Sequence, residues 1–275
     1  MFEDITKVVL LSDMDGTLLS SQKKITNEDL NAVSKFIALG GKFTVATGRT
    51  IQSFKPYTSM LDLRFPIIMY NGAAIYDFNT DEVLYTHPLP DETKSITREI
   101  LEAVPQAGGE VLKTDGTYIF RRNDYEDLHT KLCRITPEYS DLEDIADGGW
   151  LKVLFAAAPE DIPMLEVFAK QNDYGSVDFV KSSEIFYEML PKGVSKGSAL
   201  FHYRNLSGME DCTFVAVGDF DNDIEMLREA DLGAAPANAQ DSVKKSAGIV
   251  LKNSCDTGAV AELIEYIIEQ CSLNH

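Results

Sequence analysis

Val8-Val9-Leu10-Leu11-Ser12 runs directly into Asp13-Met14-Asp15-Gly16-Thr17. The first five residues have the composition of a short buried strand. The next five place two carboxylates two positions apart at its carboxyl end. A carboxylate resists burial unless a cation or hydrogen bonds compensate it. Two of them beyond an apolar strand suggest a site where Mg²⁺ offsets the charge and one carboxylate acts as a nucleophile. Asp and Gly are also common turn residues, so taken alone the pentapeptide reads equally well as a strand-to-loop turn. The remainder of the chain decides between the two.

At 275 residues the chain is long for one typical domain and short for three, which predicts one large or two modest domains. A hydrophobic share of 44% beside 25% charged residues fits a soluble globular protein. The net charge of −19 argues against partners that need a basic face, so neither nucleic acid nor an anionic membrane is expected. Small anionic substrates stay open, because one metal ion and a lysine reverse a local potential. Met1-Phe2-Glu3-Asp4 lacks the basic segment and apolar run of a signal peptide. No apolar run reaches the length of a bilayer span. Cys133, Cys212, Cys255 and Cys271 are scattered without a Cys-x-x-Cys pair, the usage of reduced thiols in a cytoplasmic protein. His87, His129, His202 and His275 are equally dispersed, so a zinc site finds no support in the spacing. Metal binding is expected through oxygen ligands.

The first part alternates strand and helix signals. Lys7–Ser12, Lys42–Ala46 and Ile67–Tyr70 read as strands, and Thr26–Leu39 as an amphipathic helix with Leu30, Val33 and Ile37 on one stripe. Thr26 with Asp29 three residues on is an N-cap arrangement, and Gly40-Gly41 a stop signal. The tail repeats the style, with helices over Ser198–Asn205, Asp223–Glu229 and Gly258–Gln270, and strands over Thr213–Val217, Leu232–Ala235 and Ile249–Leu251. This order predicts an α/β fold, a doubly wound parallel sheet covered by helices.

The middle differs. Strand-like pieces come in pairs, Glu110–Lys113 with Tyr118–Arg121 and Val177–Val180 with Ile185–Leu190, with Leu151–Ala156 as a further strand. Thr114-Asp115-Gly116-Thr117 reads as a hairpin turn. Thr93–Val104 and Ile162–Gln171 read as helices, and acidic Pro137–Gly149 as a loop. The division expected is a catalytic core from residues 1–83 and 191–275, interrupted by an inserted α+β domain over 84–190. Hinges fall near His87-Pro88 and Pro191-Gly193.

Ligands of open parallel sheets bind beyond the carboxyl ends of the strands. Three polar clusters sit at such ends: Asp13-x-Asp15-Gly16-Thr17, Thr47-Gly48-Arg49, and Gly218-Asp219-Phe220-Asp221-Asn222-Asp223. A fourth, Gly193-Val194-Ser195-Lys196-Gly197, precedes a helix. Together they supply what phosphoryl transfer to a carboxylate needs. Attack by Asp13 on an anionic phosphoryl group requires charge offset by Mg²⁺ and Lys196. Asp13, Asp219 and the Asp15 carbonyl offer oxygens to the ion. The Asp15 side chain is then available to protonate the leaving oxygen and later activate water. Thr47 offers a hydroxyl and Gly48 a backbone N–H to the phosphate.

Each cluster also has a structural reading. Thr47-Gly48-Arg49 is compatible with a turn into a helix. Asp219 to Asp223 is compatible with helix capping, worth roughly 0.3–1 kcal/mol per acid, although three acids and Asn222 exceed what one cap uses. Lys196 runs against the helix dipole unless an anion binds there. Lys192 reads as a solvated hinge residue, and Asp221 and Glu225 as solvent-facing. Asn71-Gly72 is a turn whose position makes Asn71 a rim residue.

Taken in order, these motifs, with Tyr70-Asn71-Gly72-Ala73, resemble the haloacid dehalogenase-like phosphatase superfamily. The resemblance is to its Cof-type members with a Rossmann-like core and a class IIB inserted cap, and it covers the core almost end to end. It implies Asp13 as nucleophile and Asp15 as general acid/base, with Mg²⁺ at Asp13, the Asp15 carbonyl and Asp219 and with Asp223 in support. It implies phosphate contacts from Thr47, Gly48 and Lys196, Asn222 at the phosphate or its waters, and Arg49 toward the leaving group. Cys255 and Thr257 depart from the family's more usual acidic residues. The expected activity is hydrolysis of small phosphorylated metabolites, sugar phosphates first, with a monomer or small homo-oligomer in the cytoplasm. A sugar phosphomutase and a non-catalytic phospho-aspartate or ligand-binding module are the alternatives. Tyr118, Arg121 and Tyr187 are the cap residues whose polarity marks them as contacts or as structural groups.

Overall fold

Val8–Ser12 is buried along its whole length. It lies within a five-stranded sheet ordered Ile249–Val250, Leu232–Ala235, Thr213–Val217, Val8–Ser12, Lys42–Val45. All four pairings are parallel. From Val8–Ser12 the chain passes to Lys42–Val45 on one side and returns to Thr213–Val217 on the other. That is the switch point at which open α/β sheets bind ligands. The register sets the level of the loops. Ser12 pairs with Val217 on one side and Val45 on the other, so Asp13, Gly218-Asp219 and Ala46-Thr47 leave the sheet side by side.

The structure is a computed structural model describing residues 2–206 and 208–273; His275 of the sequence reading lies outside them. Two compact units result. Among the described residues, the first comprises 2–47, 57–84, 195–206 and 208–273, and the second Gly48–Pro56 and Tyr85–Val194.

In the first unit, helix Asn27–Ala38 begins where Thr26 accepts a hydrogen bond from the Asp29 N–H and buries Ala32, Val33, Phe36 and Ile37. It ends where Gly40, at φ +93°, turns the chain away. The expected third strand is present and meets the sheet in parallel at its edge. Ile67–Met69 touches the sheet through a single parallel bridge, Ile68 to Ala46. It then pairs antiparallel with Ala74–Asp77, a strand without a sequence expectation. Asn71, in the left-handed region at φ 55°, makes the tight reversal between the two strands.

The second unit carries a six-stranded sheet ordered Val177–Ser183, Phe186–Pro191, Lys152–Ala156, Gly108–Leu112, Thr117–Arg121, Glu138–Tyr139. Only the last pair is parallel. Helices Thr93–Ala103 and Ile162–Asn172 supply Ile96, Ile100, Ile162 and Leu165 to a core that includes Val111, Val153, Phe155 and Met189. Pro137–Gly149 is not wholly a loop: it contains Glu138–Tyr139 and a 3₁₀ turn over Leu142–Asp144. Helix Asp124–Cys133 had no counterpart in the sequence reading, because it buries Glu126 and His129 instead of an apolar stripe. Tyr187 stacks on Phe179 at 5.6 Å, and Arg121 donates to the Leu101 and Pro105 carbonyls. Both therefore serve the packing of this unit.

Candidate active site

Lys196 is the centre of the polar cluster in the first unit. Its side chain is fully buried, and its Nζ stands 2.6 Å from Asp13 Oδ1 and 2.7 Å from Asp223 Oδ1. The local sequence explains the placement. Ser195 caps helix Lys196–Arg204 and shares a reciprocal box with Ser198, so the first helical residue has a fixed direction. Gly72, at φ +103°, lets the Asn71 turn approach this cap, since a Cβ there would sit 2.0 Å from the Ser195 carbonyl oxygen.

Asp13, Asp219 and Asp223 offer carboxylate oxygens that all lie within 4.8 Å of one another. The Asp13 N–H donates to the Val217 carbonyl at 2.9 Å, which ties the two strand ends together. Asp219 Oδ1 accepts from the Thr17 hydroxyl at 2.9 Å. Gly16, at φ +89°, leaves room for that carboxylate, because a Cβ would come within 2.4 Å of Asp219 Oδ2. Asp223 Oδ2 accepts from the N–H groups of Asp219 and Phe220. Asp223 thus folds its own loop back while its other oxygen holds Lys196.

The charges do not balance locally. Burial pushes the Asp13 carboxyl well above its ordinary range; Lys196 lowers it in part, and Asp223 and Asp219 add to the rise. Asp219 is pushed up to about 7, by burial first and then by the charge of Asp223. Burial acts to depress the Lys196 ammonium, yet its two carboxylate partners prevail and hold it above its ordinary range. Three carboxylates against one ammonium, with oxygen donors throughout, fit a hard dication such as Mg²⁺.

The other residues singled out in the sequence fall as follows. The Thr47 N–H donates to the Ile68 carbonyl, and its own carbonyl accepts from Asn71 N–H at 3.1 Å. Asn222 Nδ2 donates to Asn71 Oδ1 at 3.1 Å. Asp15 is partly exposed and pairs with Lys23 at 2.8 Å. Gly48 and Arg49 belong to the second unit. There the Gly48 carbonyl accepts from Lys152 Nζ at 2.8 Å, and buried Arg49 donates to the Ser53 carbonyl. Lys192 is exposed and paired with Asp178, and Asp221 and Glu225 are exposed.

Two supporting residues escaped the sequence reading. Thr17 stands in the first motif with no role legible from its neighbours, and Asn238 lies in no motif. Asn238 Nδ2 donates to the Gly16 carbonyl while its Oδ1 accepts from the Cys255 N–H. This contact binds the last loop to the first, and no local pattern signals a contact across so much chain.

The sequence profile of the haloacid dehalogenase-like hydrolases matches residues 10–264. The chain belongs to that family. Among curated relatives, it is 27% identical to the 5-amino-6-(5-phospho-D-ribitylamino)uracil phosphatase YcsE of Bacillus subtilis, over 97% of this chain and 98% of that one. It is also 27% identical to the pyridoxal phosphate phosphatase YbhA of Escherichia coli, over 94% and 97%. Among solved structures, a haloacid dehalogenase-like hydrolase from Bacteroides thetaiotaomicron superposes with a TM-score of 0.81 at 25% identity, covering 94% of this chain and 99% of that one. The α/β core with a further sheet unit is therefore this hydrolase family's fold. Among the described residues no helix is long and apolar enough to cross a membrane.

Proposed function

We propose that the chain is a Mg²⁺-dependent phosphomonoesterase acting on small phosphorylated metabolites through a phosphoaspartyl intermediate on Asp13. The observation carrying this reading is the buried Lys196, bridging Asp13 and Asp223 beside Asp219. Asp13, the Asp15 carbonyl and Asp219 would hold Mg²⁺, with Asp223 in support; the bound ion offsets the charge of the phosphoryl oxygens.

In the proposed reaction an Asp13 carboxylate oxygen attacks phosphorus as the bond to the leaving oxygen breaks. Asp15 gives that oxygen a proton, then takes one from the water that attacks the acyl phosphate. Inorganic phosphate leaves, Asp13 is again a carboxylate and Asp15 again carries its proton. Lys196 and the Thr47 hydroxyl, with the neighbouring Gly48 N–H, hold the phosphoryl oxygens, and Arg49 is assigned toward the leaving group. Asn222 and Asn71, already joined to each other, orient the phosphate or its waters. The four free cysteines support a reducing, cytoplasmic setting.

Asp13→Asn is expected to abolish hydrolysis of an aryl phosphate while the far-UV circular dichroism stays that of the wild type; retained turnover would remove Asp13 from its role. Asp15→Asn is expected to lose about 10²–10⁴-fold on alkyl phosphates and less on aryl phosphates, whose leaving groups need no proton. Equal losses would count against the acid role. Sugar phosphates head the proposed substrates. A panel adding pyridoxal phosphate and the ribitylaminouracil phosphate, after the names of the two relatives, ranks them by kcat/KM.

A further inference from the structure

Helix Asp124–Cys133 of the second unit docks without an apolar stripe. Its buried residues are Glu126 and His129, three positions apart and therefore on one face. They meet Glu110 from strand Gly108–Leu112, which sits in one cross-strand row with Leu154 and Glu188. Glu110 and Glu126 are fully buried, and the His129 side chain is 11% exposed. None of the four carboxylate oxygens, nor His129 Nδ1, makes a hydrogen bond of acceptable geometry. Lys152, on the same sheet face, is engaged with Glu188 and the Gly48 carbonyl. Buried polar groups left without hydrogen bonds are destabilising unless something binds them.

We propose that Glu110, Glu126 and His129 form a site in the second unit for a first-row transition-metal dication, with Zn²⁺ the best match. The donor set, two carboxylates and an imidazole, suits zinc better than the all-oxygen shell of Mg²⁺ or Ca²⁺. The spacing suits it too. His129 Nδ1 lies 3.0 Å from one Glu110 oxygen and 3.9 Å from one Glu126 oxygen. Ligand atoms about 2.1 Å from a tetrahedral zinc stand roughly 3.4 Å apart, between those two values. All three donors fall within 4.8 Å of one another. Cys133, one turn along the helix, interacts with the same imidazole, the place of an outer partner that orients a metal-bound histidine. The ion would join helix to strand where hydrophobic contact normally does so, a structural role separate from Asp13 chemistry.

The full-length protein, freed of metal on a chelating resin, is titrated calorimetrically with Zn²⁺ in saturating Mg²⁺. The wild type and the Asp219→Asn variant are each expected to bind one equivalent at this site. Glu126→Gln and His129→Gln are expected to weaken that equivalent by at least about tenfold. Absence of the equivalent from Asp219→Asn, or its survival undiminished in both cluster variants, would overturn the proposal. If the cluster variants lose their circular dichroism, wild-type crystals soaked in Zn²⁺ decide the matter. An anomalous peak among the three side chains sustains the site. A map without one refutes it and leaves a buried carboxyl–imidazole network sharing protons.

Discussion

Thr17 shows how one hydroxyl sets a carboxylate. Its Oγ1 donates to Asp219 Oδ1 across 202 positions of sequence, fixing one oxygen so that the other has a defined direction. Thr17→Val keeps the shape and deletes the donor. The Mg²⁺ concentration giving half-maximal activity is expected to rise about 10–100-fold, with Thr17→Ser restoring most of it. An unchanged midpoint in Thr17→Val would mean that Asp219 is positioned without it. The Asp15–Lys23 pair is different in kind. Both side chains are about two-fifths exposed, at 37% and 42%, and exposed pairs contribute about 0–1 kcal/mol. Lys23 therefore holds Asp15 weakly, as suits a side chain that must exchange protons with a leaving group and a water.

Among the elements, helix Ala259–Ser272 depends on a residue outside itself. Its N-cap is Gly258, which has no side chain to offer. The missing cap comes from Asp29 of helix Asn27–Ala38, whose Oδ1 accepts from the Ala261 N–H at 2.7 Å while Oδ2 accepts from Thr26 Oγ1. Asp29 is fully buried, so its removal orphans a helix N-terminal donor in the contact between two helices. Asp29→Ala is expected to cost about 1.5–3 kcal/mol in denaturant unfolding, and Asp29→Asn less. A loss below about 0.5 kcal/mol in Asp29→Ala would show that water replaces the carboxylate. Helix Asp124–Cys133 presents the opposite case, with Glu126 and His129 turned inward and no hydrogen bond of acceptable geometry made by the Glu126 carboxylate.

For the molecule as a whole, the acidic cluster ties stability to pH and metal. An unfolded Asp titrates near 4, whereas folded Asp219 titrates at about 7 and Asp13 is likewise raised. The native state thus keeps protons that the unfolded chain has lost. The stability contributed by Asp219 is full below about pH 4 and is lost as pH rises through about 7, and Asp13 acts in the same direction. Metal-free protein is expected to unfold at lower denaturant near pH 8 than near pH 6, and Asp219→Asn to narrow the difference. Mg²⁺, by binding only the native state, is expected to raise the midpoint more near pH 8, where it displaces fewer protons. A midpoint independent of pH in metal-free buffer would contradict the raised carboxyls.

Strand Val8–Ser12, the Thr26 cap and the order of polar clusters were all legible in the sequence, because local pattern and backbone chemistry dictate them. Periodicity finds a helix that buries Val33 and Ile37; it passes over one that buries Glu126 and His129. Nor does it distinguish a strand that continues a parallel sheet from one that turns back at Asn71, since both are short and apolar. Lys196 was recognised as a cation out of place at a helix start, but its two carboxylate partners come from positions 13 and 223. Only the parallel register of Ser12 with Val217 brings the first loop and the Asp219 loop level. What the sequence determined by itself was which residue types end each strand, since that depends on neighbours in the chain. The tertiary structure alone decided which of those charges share a site. Burial and Coulomb interactions act through space, and the fold sets the distances.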